Sequence, residues 1–502
     1  MIRLRSVCPV SMCVTLLLCA RAVPGTPAFP GAEGFGADTA HARGKPVFHV
    51  TRLDDEDKGQ RTRYLKKGQF RYALAAAQEA GGGYIVFDVA GVIQLKRSAG
   101  IPSNCYVAGQ SAPGKGIAIQ GGAIIVGRDT RNALIRHVRF RGNAPRGSDA
   151  FNIVGEGTEN IVLDHVSISF FRDGAVDIVD GAKNVTVQWS HLGDAVHSGT
   201  REAYHCEPNL LRTNVNRVSL HHNYYTHCHS RVPQVQNTCA KTGFLIEFSN
   251  NVVYDYRKYP SNFEAPNGKG NVIGNYYIPG AFTHGEGGHP KAARGCVTGR
   301  NGFSVHVRDN LSVDGLGHDD KGDAERGSDQ DTRRGNDAFV TGARPDGKRP
   351  ETDIMGKPGA RGPTPGVFEY SKTRFAEIPE VTCTPAEKNI DEVLAKFGAF
   401  PRDNTDKRLV EELLTRTGGW KLKAPDDRNV YEGEPRVDKD RDGMADEWEK
   451  AKGGDLQPNA HDRHKVYDNI EVYLNELADD LLKAAEPVDA HKAVTSWKPK
   501  KP

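Results

Sequence analysis

The chain has 502 residues with 55 glycines and only 8% aromatic residues, a composition that suits tightly turned coils of strands better than a helical bundle. Its 67 basic and 64 acidic residues give a formal net charge of +3. That balance is too near neutral to indicate nucleic acid or a membrane surface as a partner, so an acidic polymer would need a local basic groove. We expect a monomer.

The first 22 residues have the features of a cleavable signal peptide. Arg3 and Arg5 precede an apolar run, and Ala20-Arg21-Ala22 follows it with the small residues that a signal peptidase requires. The run is too short to remain as a membrane anchor. We therefore expect removal of residues 1–22 by cleavage near Ala22, and a secreted or periplasmic protein.

Six of the nine cysteines lie beyond the predicted signal peptide: Cys105, Cys206, Cys228, Cys239, Cys296 and Cys383. An even number of cysteines in an oxidising compartment favours one to three disulfides. Their spacing lacks CxxC pairs, which argues against a zinc site.

Strand-like segments recur through residues 23–316. An early helix, QFRYALAAAQEA, ends at Gly81-Gly82-Gly83, and we expect it to cap the open end of the sheet. Apolar, β-branched segments then recur with a period of about 25 to 30 residues, as ALIRHVRF, NIVLDHVSI, NVTVQWSHL, RVSLHHNYY, FLIEFSNNVVY, NVIGNYYI and FSVHVRDNLSV. This pattern predicts an all-β fold, a parallel β-helix in which successive coils stack as a solenoid.

Three aspartates repeat at the spacing of the coils. Asp149 and Asp173 are 24 residues apart, and Asp177 follows on the same face of the second coil. Strands of neighbouring coils lie about 4.8 Å apart, so these carboxylates can sit side by side, where they repel unless a cation joins them. Hard oxygen ligands favour calcium. Arg231 comes about two coils later and can project over the same groove. The competing interpretation is that each aspartate only caps a turn.

The motifs AFPGAEGFG, DVAGVIQL, DAFNI, VLDHVSIS, DGAVD and RVP follow one another in this order. Together they resemble the calcium-dependent pectate lyases of the pectate lyase superfamily, which fold as a right-handed parallel β-helix. The resemblance covers well over half of the chain. It implies that Asp149, Asp173 and Asp177 bind Ca²⁺, that Arg231 is the catalytic base, and that the substrate is an acidic polysaccharide related to pectate.

Two departures separate the chain from that family. RVPQVQ has Gln234 and Gln236 where the family's RxPRxR has arginines, the last of which holds a substrate carboxylate. The family also has a lysine between the acidic cluster and this motif, whereas the only lysine in that stretch here is Lys183, in a predicted turn beside a strand. Arg201 and His205 are candidates to replace it.

A uronate polymer can be cleaved by β-elimination, in which a proton leaves the carbon next to the carboxylate and the glycosidic oxygen departs from the neighbouring carbon. A Ca²⁺ that joins the three aspartates to the substrate carboxylate would stabilise the enolate-like transition state. The free pKa of arginine is above about 12, so Arg231 as the base predicts an alkaline optimum. Two alternatives stay open: an inverting polygalacturonase-type hydrolase that uses the same carboxylates, and a non-catalytic glycan-binding β-helix.

Histidines and asparagines occupy strand and turn positions that repeat from coil to coil. We expect side-chain stacking and hydrogen bonding within the solenoid for three histidines, His165, His221 and His222. We expect hydrogen-bonded ladders of four asparagines, Asn223, Asn250, Asn251 and Asn275. None of these residues is assigned a catalytic role.

The remainder of the chain divides into three predicted parts. Residues 317–383 have few apolar residues, which predicts a loop or linker. Residues 384–482 contain amphipathic helices around an acidic loop, and we expect a small helical calcium-binding module there. Residues 483–502 are predicted to be a disordered tail rich in Lys and Pro.

The acidic loop matches every ligand position of an EF-hand-type calcium loop, with a glycine at its sixth position. The predicted ligands are Asp438, Asp440, Asp442, Met444 through its backbone carbonyl, Asp446 and Glu449. The alternative is an acidic turn that happens to begin a helix. The loop resembles calcium-stabilised modules appended to secreted carbohydrate enzymes, which implies a structural calcium ion.

Overall fold

The computed structural model describes residues 25–56, 61–142, 149–196, 206–237, 243–256, 260–281, 283, 297–300, 302–313, 329–331, 340–342, 369–419, 421 and 431–496. The predicted signal peptide, Arg201, His205, Cys239 and Cys296 lie outside the described residues.

Strands from successive turns of the chain pair with one another and build three long sheets. The first sheet contains β1 (Val47–Val50), β2 (Gly83–Phe87), β5 (Cys105–Ala108), β8 (Arg131–Arg136), β11 (Glu159–Asp164), β14 (Lys183–Gln188), β17 (Asn216–His221), β20 (Leu245–Ser249), β23 (Lys269–Ile273), β26 (Ser304–Arg308) and β30 (Glu369–Tyr370). The second contains β3 (Gly91–Gln94), β6 (Ile117–Gln120), β9 (Arg139–Arg141), β12 (Ser167–Ser169), β15 (His191–Gly193), β18 (Tyr224–Thr226), β21 (Val252–Tyr254), β24 (Tyr276–Ile278), β27 (Leu311–Val313) and β28 (Asp329–Asp331). The third contains β4 (Ala99–Gly100), β7 (Ile124–Val126), β10 (Phe151–Val154), β13 (Val176–Val179), β16 (Leu210–Arg212), β19 (Gln234–Gln236), β22 (Ser261–Glu264), β25 (Val297–Arg300) and β29 (Val340–Gly342).

The chain visits the three sheets in turn, coil after coil, and the strands pair in parallel apart from β27 with β28. This arrangement fits the predicted right-handed parallel β-helix. Side chains alternate between the interior and the outside along each strand. One interior row of the first sheet runs through Ile135, Leu163, Val187, Leu220 and Phe248, all buried in the main core.

Polar side chains stack at the corners as well, as predicted for most of them. Asn223 donates to Asn251, and Asn251 to Asn275, through side-chain amides 3.1 and 3.0 Å apart. Asn250 donates to two carbonyls, that of Gly274 in the next coil, 2.9 Å away, and that of Thr384, 2.8 Å away. This corner is therefore held both by the next coil and by a distant segment.

The predicted histidine stack is present and includes a tryptophan. The rings of His137, His165, Trp189 and His222 lie over one another, with centroid separations of 4.9, 6.1 and 4.3 Å. The ring of His221 meets that of His222 edge-on and hydrogen-bonds to it across 2.9 Å, within the expected stacking and hydrogen bonding.

The helix α1 (Phe70–Glu79) covers the end of the solenoid where β1 forms the edge of the first sheet, as predicted. Its buried side chains join the main core, and Phe70 stacks on Phe87 of β2 with ring centroids 5.9 Å apart. Covering this end keeps the apolar interior of the first coils away from water.

The C-terminal helices are α2 (Ala386–Lys396), α3 (Asn404–Thr415), α4 (Asp446–Lys452), α5 (Asn469–Lys483) and α6 (Ala490–Ser496). Apolar faces of α2, α3 and α6 pack on the outside of the second sheet, in a cluster that includes Tyr224 and Tyr276. The α5 helix packs on the first sheet, in a cluster that includes Tyr84 and Tyr106. The predicted helical module therefore shares its core with the solenoid.

Two predicted boundaries change. The strands β28, β29 and β30 extend the sheets into the predicted linker 317–383, although DQD, VTG and EY carry little apolar alternation, because strand pairing with the preceding coils comes from backbone hydrogen bonds. The predicted disordered tail contains α6, which is ordered because Ala490 and Val494 are buried against α2 and α3. No helix among the described residues combines the length and apolar character needed to span a bilayer.

The four described cysteines, Cys105, Cys206, Cys228 and Cys383, all carry free thiols, whereas the other two predicted to take part in disulfides, Cys239 and Cys296, lie outside the described residues. Burial raises the pKa of the Cys228 thiol well above its usual value, and its Sγ donates to the carbonyl of Thr226 across 3.2 Å. A deeply buried thiol of this kind behaves as a small apolar side chain.

Candidate active site

The candidate site lies on the third sheet. The described C-terminal helices pack on the other two sheets. Along β10 and β13, Phe151 and Val176 point into the core, while Asn152 and Asp177 point outward and are paired in register. The two-residue period of a strand therefore places Asp177 on the outer surface of the third sheet.

Asp149 and Asp173 lie in the turns that lead into β10 and β13, one coil apart. The coils are joined at this point by hydrogen bonds from the Ala150 amide to the Gly174 carbonyl, 2.9 Å, and from the Gly174 amide to Asp149 Oδ1, 2.9 Å. A Cβ atom at Gly174 would lie 2.5 Å from Asp177 Oδ1 and 2.8 Å from Asp149 Oδ1. Any side chain at this position would therefore displace the two carboxylates that converge over this backbone.

The carboxylates of Asp149 and Asp177 both have raised pKa values. Burial raises the pKa of Asp177 well above its usual value, and the neighbouring Asp149 carboxylate raises it further. Burial also raises the pKa of Asp149, with a further contribution from Asp173. The charge of Arg231 acts in the opposite direction on both groups. Two carboxylates held together at this depth are a suitable place for a hard cation.

Asp173 is half-buried in the turn before β13, and its charge raises the pKa of both Asp149 and Asp177. The described clusters whose ligand atoms all lie within 4.8 Å of one another do not include this trio. The close approach that the structure shows directly is that of Asp149 and Asp177 over Gly174.

Arg231 lies in the turn before β19, within electrostatic reach of Asp149 and Asp177. Its Nη2 pairs with Glu207 Oε2 across 2.6 Å, and its carbonyl accepts from the Asn209 amide, 2.9 Å away. The structure thus gathers the predicted base and the predicted metal ligands on one face of the solenoid.

Glu207 was not among the site residues predicted from the sequence. It is only 7% exposed and lies just before β16, as Asp149 and Asp173 lie just before β10 and β13. Its amide donates to the Asp173 carbonyl across 3.2 Å. An acidic residue at the same place in the third of three successive coils was the signal that could have revealed it.

The outer face of the third sheet also carries side chains that bear on substrate binding. Gln234 and Gln236 are partly and fully exposed on the outer face of β19, and Gln236 is in register with the exposed Arg212 of β16. Arg212 was not singled out from the sequence and supplies a cation on this face. Lys183 lies on the first sheet, where it pairs with Glu159 across 3.0 Å, and so takes no part in the site.

A second group with metal-ligand chemistry, His137, Asp164 and His165, is buried beneath the helices. Asp164 already accepts hydrogen bonds from Arg136 Nε, 2.8 Å, and Gln188 Nε2, 2.9 Å. The buried Arg136 guanidinium already supplies positive charge to Asp164, and the two histidine rings stack on each other. This group is therefore better described as an internal ion pair than as a site for a divalent metal ion.

The C-terminal acidic loop gathers most of its predicted ligands. Asp438, Asp440 and Asp442 form one cluster, and Asp440, Glu449 and Asp455 form another. Burial raises the pKa of Asp442 to about 7, and its buried Oδ2 has no hydrogen-bond partner. Met444 is fully buried. The donors therefore fit a calcium ion.

Asp446 is the predicted carboxylate ligand that lies outside both of these clusters. Its Oδ1 accepts from the Lys439 amide across 2.9 Å and its Oδ2 pairs with Lys439 Nζ across 3.0 Å. Both oxygens are held by Lys439 because Asp446 begins α4 and its side chain turns back along the chain. Asp455, beyond the end of α4, lies with Asp440 and Glu449 and offers a further carboxylate beside the predicted ligands.

Comparisons with known proteins agree with the resemblance in the sequence. No family model matches the chain. The chain is 28% identical over 486 residues to a probable pectate lyase C of Emericella nidulans, covering 94% of this chain and 98% of that protein. It is 29% identical over 482 residues to a probable pectate lyase C of Aspergillus fumigatus, covering 93% and 97%. A solved thermostable pectate lyase has 16% identity and a TM-score of 0.44, covering 73% of this chain and 97% of that one. The curated relatives support the pectate lyase superfamily for this chain.

Proposed function

We propose that this chain, a polysaccharide lyase by its similarity to the probable pectate lyases, cleaves pectate or a related uronate polymer by calcium-assisted β-elimination. The observation that carries the proposal is the convergence of the Asp149 and Asp177 carboxylates over Gly174, within electrostatic reach of Arg231. A ligand site for a cation and a candidate base thus lie on one outward face.

In this proposal Asp149, Asp173 and Asp177 hold Ca²⁺, and the substrate lies along the outer face of the third sheet. When bound, Ca²⁺ supplies Lewis-acid stabilisation of the charge that develops on the substrate carboxylate. The acidic cluster repels a uronate in the absence of a cation, so the same residues also make binding of the polymer depend on the metal.

Arg231 takes the proton from the carbon next to the carboxylate. The electron pair left behind forms the new C4–C5 double bond, the C4–O bond to the leaving sugar breaks with its electrons going to the oxygen, and that oxygen takes a proton from water. The guanidinium can accept a proton only after it has lost one, and its free pKa is above about 12, so we propose an alkaline optimum. Arg212, exposed on the same face, is suited to a carboxylate of a neighbouring sugar unit.

Two finer proposals concern the ends of the chain. The charge and apolar pattern of residues 1–22 supports export to an oxidising compartment. The acidic loop of Asp438, Asp440, Asp442 and Glu449 supports a second, structural Ca²⁺. Because that loop attaches to β1 through a hydrogen bond from His49 to the Arg441 carbonyl, 3.0 Å, such an ion would stabilise the contact between the C-terminal segment and the solenoid.

The test is an ultraviolet assay of the unsaturated product over a panel of uronate polymers, with calcium and with excess chelator. β-Elimination predicts absorbance from the C4–C5 double bond that depends on calcium. New reducing ends without that absorbance would instead identify a hydrolase. Full activity in excess chelator would refute the role of calcium.

A further inference from the structure

Glu207 binds three consecutive residues of the turn that carries Arg231. Its Oε2 pairs with Arg231 Nη2 across 2.6 Å, and its Oε1 accepts from Ser230 Oγ across 3.1 Å. His229 Nδ1 lies 3.4 Å from the same Oε1. Both carboxylate oxygens of a side chain that is only 7% exposed are thus engaged with one turn.

The backbone around Glu207 connects this turn to the acidic coil. The Glu207 amide donates to the Asp173 carbonyl, 3.2 Å, and the Asn209 side chain donates to the Val176 carbonyl, 2.8 Å. On the other side, the Asn209 amide donates to the Arg231 carbonyl, 2.9 Å. The segment 207–209 therefore lies between the coil of the predicted metal ligands and the turn of the predicted base.

We infer that Glu207 is a positioning residue that holds the Arg231 guanidinium over the acidic cluster, an inference that rests on the proposed function. A free arginine side chain samples many rotamers, and each one away from the reacting carbon is unproductive. A buried carboxylate fixed by the backbone on both sides removes that freedom. Because the carboxylate also binds Ser230 and His229, it fixes the path of the turn as well as the end of the side chain.

The experiment compares Glu207→Gln and Glu207→Asp with a matched control, Glu247→Gln. Glu247 is a fully buried carboxylate on β20 of the first sheet, paired with Arg374 across 3.1 Å, so its substitution removes the same kind of charge away from the site. All variants are checked for folding by circular dichroism, and kcat and KM are measured on a uronate polymer with saturating calcium.

Misplacement of a catalytic group by about 1 Å costs about a hundredfold, so E207Q should lose about a hundredfold in kcat with KM changed by less than about threefold. E207D keeps the charge and should recover part of that loss. E247Q should keep kcat within about twofold of the wild type, because Glu247 lies on the first sheet and the proposed site lies on the third. Should E207Q fail to fold, a kcat deficit of E207D at unchanged KM carries the same inference.

A second measurement does not depend on activity. The side-chain NMR signal of Arg231, assigned by its loss in Arg231→Lys, should show slow hydrogen exchange in the wild type and fast exchange in E207Q. The inference is overturned if E207Q retains wild-type kcat, if its loss equals that of E247Q, or if the Arg231 signal is unchanged. A wild-type protein that yields no unsaturated product, yet shows the protected Arg231 signal, would refute the proposed function and leave the positioning by Glu207 standing.

Discussion

His227 connects the solenoid to α3 through a buried ion pair, and its titration should control the stability of that contact. The ring lies in the second-sheet coil after Thr226 and is fully buried. Its Nδ1 pairs with Asp255 Oδ2 across 2.7 Å, and its Nε2 with Glu412 Oε2 of α3 across 2.9 Å. Burial alone would lower the pKa of His227, but its hydrogen bonds to Asp255 and Glu412 raise it to about 9.

The sign of the effect follows from the direction of that change. The pKa of His227 is higher in the folded protein than the value of 6.5 expected when unfolded, so the folded state binds the proton more tightly. The stabilisation of the folded state by protonated His227 is fully present below about pH 6.5 and is lost as the pH rises through about 9. The pKa difference corresponds to about 3 kcal/mol of the free energy of unfolding. Arg408 and Lys421 also face Glu412, at 2.9 and 3.6 Å.

The perturbation is His227→Gln, which keeps hydrogen-bonding groups and cannot carry the charge. Urea unfolding of both proteins between about pH 6 and pH 10 should show the variant less stable by about 3 kcal/mol at the acidic end. The two curves should converge above about pH 9. Groups that titrate elsewhere affect both proteins alike and cancel in the difference. Parallel curves over the whole range would refute the assignment of a charged His227.

The remaining predictions concern the two calcium sites and the base. Asp177→Asn should reduce turnover by at least about a hundredfold, because it removes a ligand of a Lewis acid that contributes several kcal/mol, and normal turnover in the assay with calcium would contradict this. Arg231→Lys should lose most of the activity while calcium titration by calorimetry is unchanged, whereas a near-normal rate would return Arg231 to a structural role. Asp442→Ala should abolish a calcium-dependent rise in melting temperature and leave most turnover intact, since a metal that binds only the folded form stabilises by mass action. Asp446→Ala is its matched control and should keep the calcium-dependent rise, because Lys439 already holds that carboxylate.

Local repetition in the sequence was enough to predict the solenoid and part of its site. Apolar alternation along each strand follows from burial of one face, so strands such as β14, KNVTVQ, could be predicted without any tertiary information. The spacing of Asp149 and Asp173 repeats with the coil, so their neighbouring positions were predictable too. The amphipathic pattern of α2, α3 and α5 likewise predicted their existence.

Contacts between distant segments were decided only in the tertiary structure. The amphipathic helices carry apolar faces, but a face does not specify its partner, and here the partners include the outer surfaces of two sheets. The direction of Asp446 depends on a lysine seven residues earlier, and the order of α6 depends on packing against α2 and α3. The role of Glu207 was decided by the tertiary structure as well, because its position before a strand does not specify its partners, and the fold brings Asp173 and Arg231 to it.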